Sequence, residues 1–462
     1  MAFPALIALA LTFAAATGLQ LTPRLIDDFE RVGLSDSFVH RTLDTGAKCT
    51  INETYPVPTL PSVVDLLKRN AFVTRRGSEL FLLDEPFRMV GTNIYWLGVD
   101  ENVIPNPAYP SKTRVLEAMG TVSAMHWTTV RAHTLGVSFG FPLSLEPDLD
   151  VFNEDAYEAV DFAILAARVY GVKLMIPLTD NYNWYHGGKY QFIQWNGIPF
   201  QGTGADITPE GVGAYFYNTT AIVDSFKRYI THHLNHVNRY TGIKLKDDPT
   251  IIGWETGNEL SAARFGEGPP PASWTREIAR HIKSLAPRQL VFDGTYGIFP
   301  ESGQLDIEEV DIFSDHFYPP DTTKLLTGYA PVRAADRVYL AGEIDWTGLN
   351  GGTELADFLG NLEAQKGAGS LIWSLFGHSD DCCSYVEHDD GHSFFFERDE
   401  LYKTQGDKLI AHAKRMNKGR AAPEVLPQLA CPSPGLGGVA QRLLAPFIPS
   451  GAAGAAVKSA IV

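Results

Sequence analysis

Eight short apolar runs recur along this chain, each ending in polar or aromatic residues: 87–96, 128–135, 173–181, 251–260, 290–297, 312–319, 338–346 and 370–378. Longer segments lie between them, several with apolar residues at helical spacing, at 154–170, 220–241, 274–285 and 354–365. A short continuous apolar run reads as a strand buried on both faces, and a strand followed by an amphipathic helix is a βα unit. Eight such units predict an α/β fold, a closed (β/α)8 or TIM barrel with extended loops at its mouth. A doubly wound open sheet is the competing topology, but no glycine-rich phosphate loop follows any run.

The flanks of this alternation set the expected boundaries. The stretch 72–83 alternates around Arg76-Gly-Ser78, the pattern of a β-hairpin, expected as a lid on the barrel floor. Residues 19–70 are mixed and polar, with Pro56, Pro58 and Pro61 close together, and read as a lead-in segment outside the main domain at 71–420. Residues 421–462 are rich in Pro, Gly and Ala, the composition of a flexible tail. Residues 1–18 form an apolar run ending in small residues, too short to span a bilayer comfortably. They read as a secretory signal, although the basic segment that usually opens one is missing.

Secretion changes the reading of the cysteines. Cys49, Cys382, Cys383 and Cys431 are an even number, which in a secreted chain suggests disulfides, with the pairing open. Asn52-Glu-Thr54 and Asn218-Thr-Thr220 are acceptor triplets for glycosylation. The net charge of −16 argues against nucleic acid or an anionic membrane as partner. A secreted monomer acting on a neutral substrate is the expectation, with no membrane and no lipid anchor, since Lys458 interrupts the weakly apolar C-terminal end.

Two of the eight runs end alike. Ile251-Ile-Gly-Trp-Glu-Thr-Gly-Asn-Glu-Leu260 and Val338-Tyr-Leu-Ala-Gly-Glu343-Ile344 each deliver a glutamate at the end of a strand. The strand C-termini of a (β/α)8 barrel form its mouth. Glu259 on strand 4 and Glu343 on strand 7 are therefore expected to face each other across it. Two carboxyl groups about 5–5.5 Å apart suit a retaining glycosidase, one as acid/base and one as nucleophile. The bland readings are a helix cap for Asn258-Glu259 and a structural ion pair for Glu343. Glu255 lies four residues deeper than Glu259 and reads as a buried, paired carboxylate. Asp345 is a rival nucleophile.

Trp254-Glu-Thr-Gly-Asn-Glu259, Ser314-Asp-His-Phe-Tyr318-Pro319, Ala341-Gly-Glu343 and Leu371-Ile-Trp373-Ser374 together resemble glycoside hydrolase family 5. Gly188-Lys-Tyr-Gln-Phe-Ile-Gln-Trp195 and the stretch 240–249 are similar to segments of its plant and fungal endo-β-1,4-mannanase branch. The resemblance covers about residues 70–380. It implies Glu259 as acid/base and Glu343 as nucleophile, supported by Arg131, Asn258, His316 and Tyr318. It also implies that Trp373 is the stacking floor for the sugar at the cleavage point. Among the aromatic and amide residues near strand ends, Trp96, Asn181, Trp184 and Trp195 are expected to touch substrate.

The implied activity is endo-hydrolysis of β-1,4-linked mannan or a related plant cell-wall polysaccharide. An exo-acting β-mannosidase, a β-1,4-glucanase, and a non-catalytic glycan-binding protein of the cell wall are the alternatives. No cofactor and no metal is required by this chemistry. The stretch 378–392 has His, Cys and acidic residues but no tetrahedral ligand spacing, and reads as a disulfide-braced loop over the site. Two departures stand out. The branch has Pro then Arg after the acid/base where this chain has Leu260-Ser-Ala-Ala-Arg264, and an aromatic and Gly after the nucleophile where it has Ile344-Asp-Trp346.

Overall fold

The computed structural model describes residues 63–103, 107–379, 385–396 and 398–417, and the backbone of a two-stranded ribbon at Val39–Asp44 and Thr50–Tyr55. The expected signal segment, the tail 421–462 and all four cysteines lie outside the described residues. Eight strands close into one parallel barrel: β1 (Val90–Asn93), β2 (Thr129–Arg131), β3 (Lys173–Pro177), β4 (Ile251–Glu255), β5 (Leu290–Asp293), β6 (Ile312–Phe317), β7 (Val338–Ile344) and β8 (Gly369–Ile372). Each falls within or beside one of the eight apolar runs. All of their residues are buried, because barrel strands face an inner core on one side and helices on the other.

The longer helices outside the barrel, among the described residues, are α1 (Lys112–Ala124), α2 (Glu154–Tyr170), α3 (Thr220–Asn235), α4 (Ala272–Leu285), α5 (Thr322–Ala334), α6 (Leu355–Ala364) and α7 (Glu400–Met416). Their ends follow from local chemistry. Asn153 caps α2 by accepting from the Asp155 amide, and Gly171 ends it in the left-handed conformation (φ 71°). The expected helix 220–241 stops at Asn235, because the Asn238 side chain accepts from the amides of Tyr240 and Thr241 and turns the chain. Between β5 and β6 the alternation lapses, and the short 3-10 turn Pro300–Ser302 is the only helical element among the described residues there.

The floor of the barrel is covered as expected, by an antiparallel sheet that gains a third strand: Thr74–Arg76, Glu79–Leu82 and Glu85–Phe87. Leu80 and Phe87 of this sheet join Met89, Met175, Ile252, Phe292, Ile312, Leu340 and Leu371 in the inner core. Fully burying a Leu or Phe contributes roughly 1.5–3 kcal/mol, so the sheet is part of the barrel's stability. Asp311 fastens it, accepting from Arg75 Nε at 2.9 Å and Lys283 Nζ at 2.6 Å. The inner core is apolar in its lower layers. Its upper layer is polar, and that is where the candidate site begins.

Candidate active site

Glu343 is the last residue but one of β7 and points into the polar upper layer with Arg131 of β2. The β6–β7 ladder skips a residue between Asp315 and His316, so that His316 pairs directly with Glu343. Gly342 makes this possible. A side chain there would begin 2.1 Å from Ser314 Oγ and 3.1 Å from His316 Nε2.

Glu259 is not on β4, where the sequence pattern placed it. The strand ends at Glu255, and Glu259 sits four residues further on, in a loop and in the left-handed backbone region (φ 49°). That conformation costs a non-glycine residue on the order of 1 kcal/mol and is concentrated at functional sites. The loop is held on both sides, by Asn258 N to Thr179 O at 2.8 Å and Leu260 N to Gly294 O at 2.8 Å.

Arg131 ties the site together from below. Its guanidinium is fully buried and donates to Glu343 Oε1 (2.7 Å), Glu255 Oε2 (2.9 Å), Asn258 Oδ1 (2.9 Å) and Asn93 Oδ1 (3.2 Å). Glu255 is thus the paired structural carboxylate expected at that depth, and burial raises its pKa to about 7 against the charge of Arg131. The other oxygen of Glu343 accepts from Tyr318 OH at 2.8 Å. Asn258 also donates to Asp180 at 3.3 Å. Burial pushes the Asp180 carboxyl up to about 8, so it stands protonated or nearly so at neutral pH.

Glu259 accepts from both sides. His316 Nδ1 is 2.6 Å from Oε1, and Tyr182 OH is 2.6 Å from Oε2. Burial pushes the Glu259 carboxyl up, but the bonds from His316 and Tyr182 and the charge of Arg131 outweigh it and lower its pKa. Burial opposes protonation of His316, but the charge of Glu343 and the bond to Glu259 outweigh it and raise the imidazole pKa. Glu343 is raised by burial, against the charges of His316 and Arg131. Both Glu343 oxygens already accept from strong donors, so the proton these groups share belongs on His316.

One oxygen each of Glu259 and Glu343 and a nitrogen of His316 lie within 4.8 Å of one another, a spacing that would also admit a metal ion. The His316–Glu259 bond already fills the space between two of these ligands. Beside them opens a cleft of about 660 Å³, with Glu259 and His316 in its wall together with Phe265, Tyr296, Tyr318 and Lys324.

A family model described as GH family 5 beta-mannosidase-like matches residues 70–317. The chain belongs to this family. Among its relatives are mannan endo-1,4-beta-mannosidase 2 of Oryza sativa subsp. japonica, 33% identical over 54% of this chain and 52% of the relative, and mannan endo-1,4-beta-mannosidase 7 of Arabidopsis thaliana, 30% identical over 52% of each. The chain thus spans about half the length of the curated relatives it matches. In fold it is similar to the endo-1,4-beta-mannanase of Rhizomucor miehei (TM-score 0.60, 23% identity, 74% of this chain and 100% of that one). It is equally similar to the family 5 mannosidase of the same organism (TM-score 0.60, 18% identity, 75% and 98%). Fold similarity therefore does not separate a mannanase from a mannosidase.

Within the family 5 barrel, Glu259, Glu343, Arg131, Asn258, His316 and Tyr318 lie together in one hydrogen-bonded cluster. Trp373 follows β8 directly, stacks on Tyr95 (ring centroids 5.5 Å apart) and donates from Nε1 to Asp390 Oδ2 at 2.6 Å. Trp184 is 51% exposed and meets Tyr182 at 5.7 Å, on the rim near Glu259.

Three expected contact residues have their side chains engaged elsewhere. Trp96 is 1% exposed, with Nε1 bonded to Leu375 O at 3.0 Å and the Arg114 guanidinium over its ring. It is core, and its neighbour Tyr95 takes the place beside Trp373. Asn181 is buried as a brace, its Oδ1 accepting from Lys189 Nζ, Ser261 N and Ser261 Oγ. Trp195 ends the helix Lys189–Trp195 and packs edge-on against Phe192. Asp345, the rival to Glu343, is fully buried and occupied by Thr347, Asn350 and His392.

Three site residues escaped the sequence. Tyr182 stands in the aromatic stretch after β3, but nothing in that stretch marks which ring reaches Glu259. His133 lies two residues after Arg131, with Nε2 at 3.0 Å from its Nη1 and the ring edge-on to Trp373. Asn93 ends β1 and donates to the Gly342 carbonyl at 2.8 Å, bracing the backbone before Glu343. A polar residue closing an apolar strand was the available signal for Asn93.

Proposed function

We propose that this chain is a retaining glycoside hydrolase that cleaves β-1,4-mannosidic linkages within mannan. The observation that carries the reading is the facing pair Glu259 and Glu343, within 4.8 Å, with Glu343 gripped by Arg131 and Tyr318 and Glu259 coupled to His316. Glu343 attacks the anomeric carbon as a carboxylate while Glu259 gives a proton to the departing oxygen. The glycosyl–Glu343 ester is then cleaved by water, whose proton returns to Glu259. The proton starts on His316 and crosses 2.6 Å to Glu259 as negative charge grows on the leaving oxygen. Asn258, locked between Arg131 and Asp180, is placed to hold the 2-hydroxyl of the sugar, and Trp373 to underlie its ring.

The mannan specificity is supported by relatives that carry the name mannan endo-1,4-beta-mannosidase at 30–33% identity. Endo action is supported by a band of rings on the Glu259 side. Trp184, Tyr182, Phe265, Tyr296 and Phe299 follow one another with centroids 4.9–5.7 Å apart. Such a band suits a leaving group that is itself a sugar chain. Secretion is supported by the apolar segment 1–18, and glycosylation at Asn218 by its exposure.

The deciding experiment is hydrolysis of mannan and reduced manno-oligosaccharides, with product lengths measured and the anomer followed by NMR. Mixed oligosaccharides with retained configuration are expected. Mannose as the sole early product would replace endo by exo action, and preference for a β-1,4-glucan would replace the substrate. Glycan binding without turnover in the wild type would leave the carbohydrate-binding alternative.

A further inference from the structure

Behind the loop that carries Glu259 lies a buried lysine with no acid to pair with. Lys189 opens the helix Lys189–Trp195, and its side chain is wholly inaccessible. Nζ donates to Asn181 Oδ1 at 2.6 Å, to Tyr217 OH at 3.3 Å, and to the carbonyls of Ser261 and Ala263 at 3.3 and 3.5 Å. The rings of Tyr190 and Tyr217 flank it, at 5.4 and 5.1 Å. Among the described residues no carboxylate makes an ion pair with it, and the acids whose charges reach it are Glu267 and, when ionised, Asp180. A buried ammonium facing only neutral acceptors is a costly arrangement.

Those acceptors belong to the turn around Glu259. Asn181 N donates to Asn258 O at 3.0 Å, and Asn181 Oδ1 accepts from Ser261 N and Oγ at 3.1 and 3.2 Å. Tyr190 OH donates to Ala263 O at 3.3 Å. The backbone on both sides of Glu259 is therefore anchored to Asn181 and Lys189.

We propose that Lys189 is a positioning residue for Glu259: its protonated Nζ holds residues 258–263 in the turn that aims the carboxyl at the leaving oxygen, and loss of that proton loosens the turn. The inference rests on the reading of Glu259 as acid/base. A neutral amine has two N–H groups for the three carbonyl oxygens of Asn181, Ser261 and Ala263, so deprotonation releases at least one of them. Burial lowers the Lys189 pKa to about 7, inside the range where the enzyme would work.

Two variants and two readouts test this. Lys189→Met is expected to lower kcat about 10²-fold, the cost of a misplaced catalytic group, with KM changed much less. Its amides at 260–263 are expected to lose hydrogen-exchange protection while the barrel strands keep theirs. Asn181→Asp puts a carboxylate 2.6 Å from Nζ, and is expected to move the alkaline limb of kcat upward. Wild-type kcat and unchanged protection in Lys189→Met would overturn the proposal. If that variant does not fold, an unmoved alkaline limb in Asn181→Asp does so. A wild type without activity would sink the acid/base reading, and the exchange measurement would then decide whether Lys189 holds the turn.

Discussion

Nδ1 of His316 lies 2.6 Å from Oε1 of Glu259, so the two share one proton rather than holding one each. With Glu343 doubly bonded by Arg131 and Tyr318, the resting cleft carries that proton on the imidazole. This arrangement sets the acid limb of a pH profile and, together with loss of the Lys189 proton, the alkaline one. On the proposed mechanism activity requires Glu343 ionised, and its pKa is raised, so the acid limb of kcat/KM should lie above the ordinary glutamate value of about 4.3. Activity also requires the shared proton, and the His316 pKa is raised, so the alkaline limb should lie above the ordinary histidine value of about 6.5. In His316→Gln the alkaline limb should move, because the proton then has only Glu259 to sit on. An alkaline limb identical in the two proteins would show that His316 does not hold it.

Tyr182 OH donates to Glu259 at 2.6 Å and stabilises the charged form alone. Tyr182→Phe removes that bond and should raise the Glu259 pKa. A hydrogen bond to a charged group contributes about 1.5–3 kcal/mol, enough for the rise to be resolved in a pH profile. The alkaline limb should follow it upward while kcat falls, since the carboxyl loses one of two contacts that orient it. A pH profile superimposable on wild type would exclude Tyr182 from this role.

The barrel was legible because strands buried on both faces leave continuous apolar runs, Glu343 because it is a polar residue near the close of such a run, and Arg131 through the resemblance to family 5. Beyond the strand ends the signal fails for physical reasons. Trp96 and Tyr95 are adjacent on the 3-10 turn Tyr95–Leu97, and sequence does not say which ring turns inward. Asn181 looks like a polar residue at a barrel mouth, yet its side-chain oxygen is consumed by Ser261, 80 residues further along the chain. Glu259 was assigned to the right face but to the strand itself, because a left-handed residue at φ 49° leaves no mark in a run of letters. Tyr182 and Lys189 act through contacts 72 to 77 residues distant in sequence, which no local pattern encodes.

The band of rings on the Glu259 side makes a prediction about chain length. Phe265 is 46% exposed and sits in the loop where the sequence departs from the mannanase branch, between Tyr182 and Tyr296. Stacking of a sugar on such a ring contributes roughly 0.5–1.5 kcal/mol, so Phe265→Ala should raise KM for manno-oligosaccharides by up to about tenfold. An aryl β-mannoside, whose small leaving group does not extend along the band, should be hydrolysed as before. Equal losses on both substrates would mean that Phe265 supports the fold of the loop and not the leaving group.

Arg131 ties the stability of the barrel to the candidate site. Among the described residues it is the one cation bonded to both Glu255 and Glu343, and all three are buried. Arg131→Met keeps much of the volume but strands two carboxylates in the barrel, a type of loss that costs about 3–5 kcal/mol. Activity should vanish, since Glu343 and Asn258 both lose their anchor. The size of the stability loss should depend on pH, and its sign can be worked out. Glu255 has a folded pKa of about 7, above its unfolded value, so between the two the folded state binds more protons and stability falls as pH rises. Without Arg131 that pKa rises further, and a protonated Glu255 at pH 5 is tolerated where an ionised one at pH 8 is not. Urea unfolding should therefore show a larger deficit for the variant at pH 8 than at pH 5. The same deficit at both would mean that Arg131 stabilises the barrel by packing and that its charge is offset elsewhere.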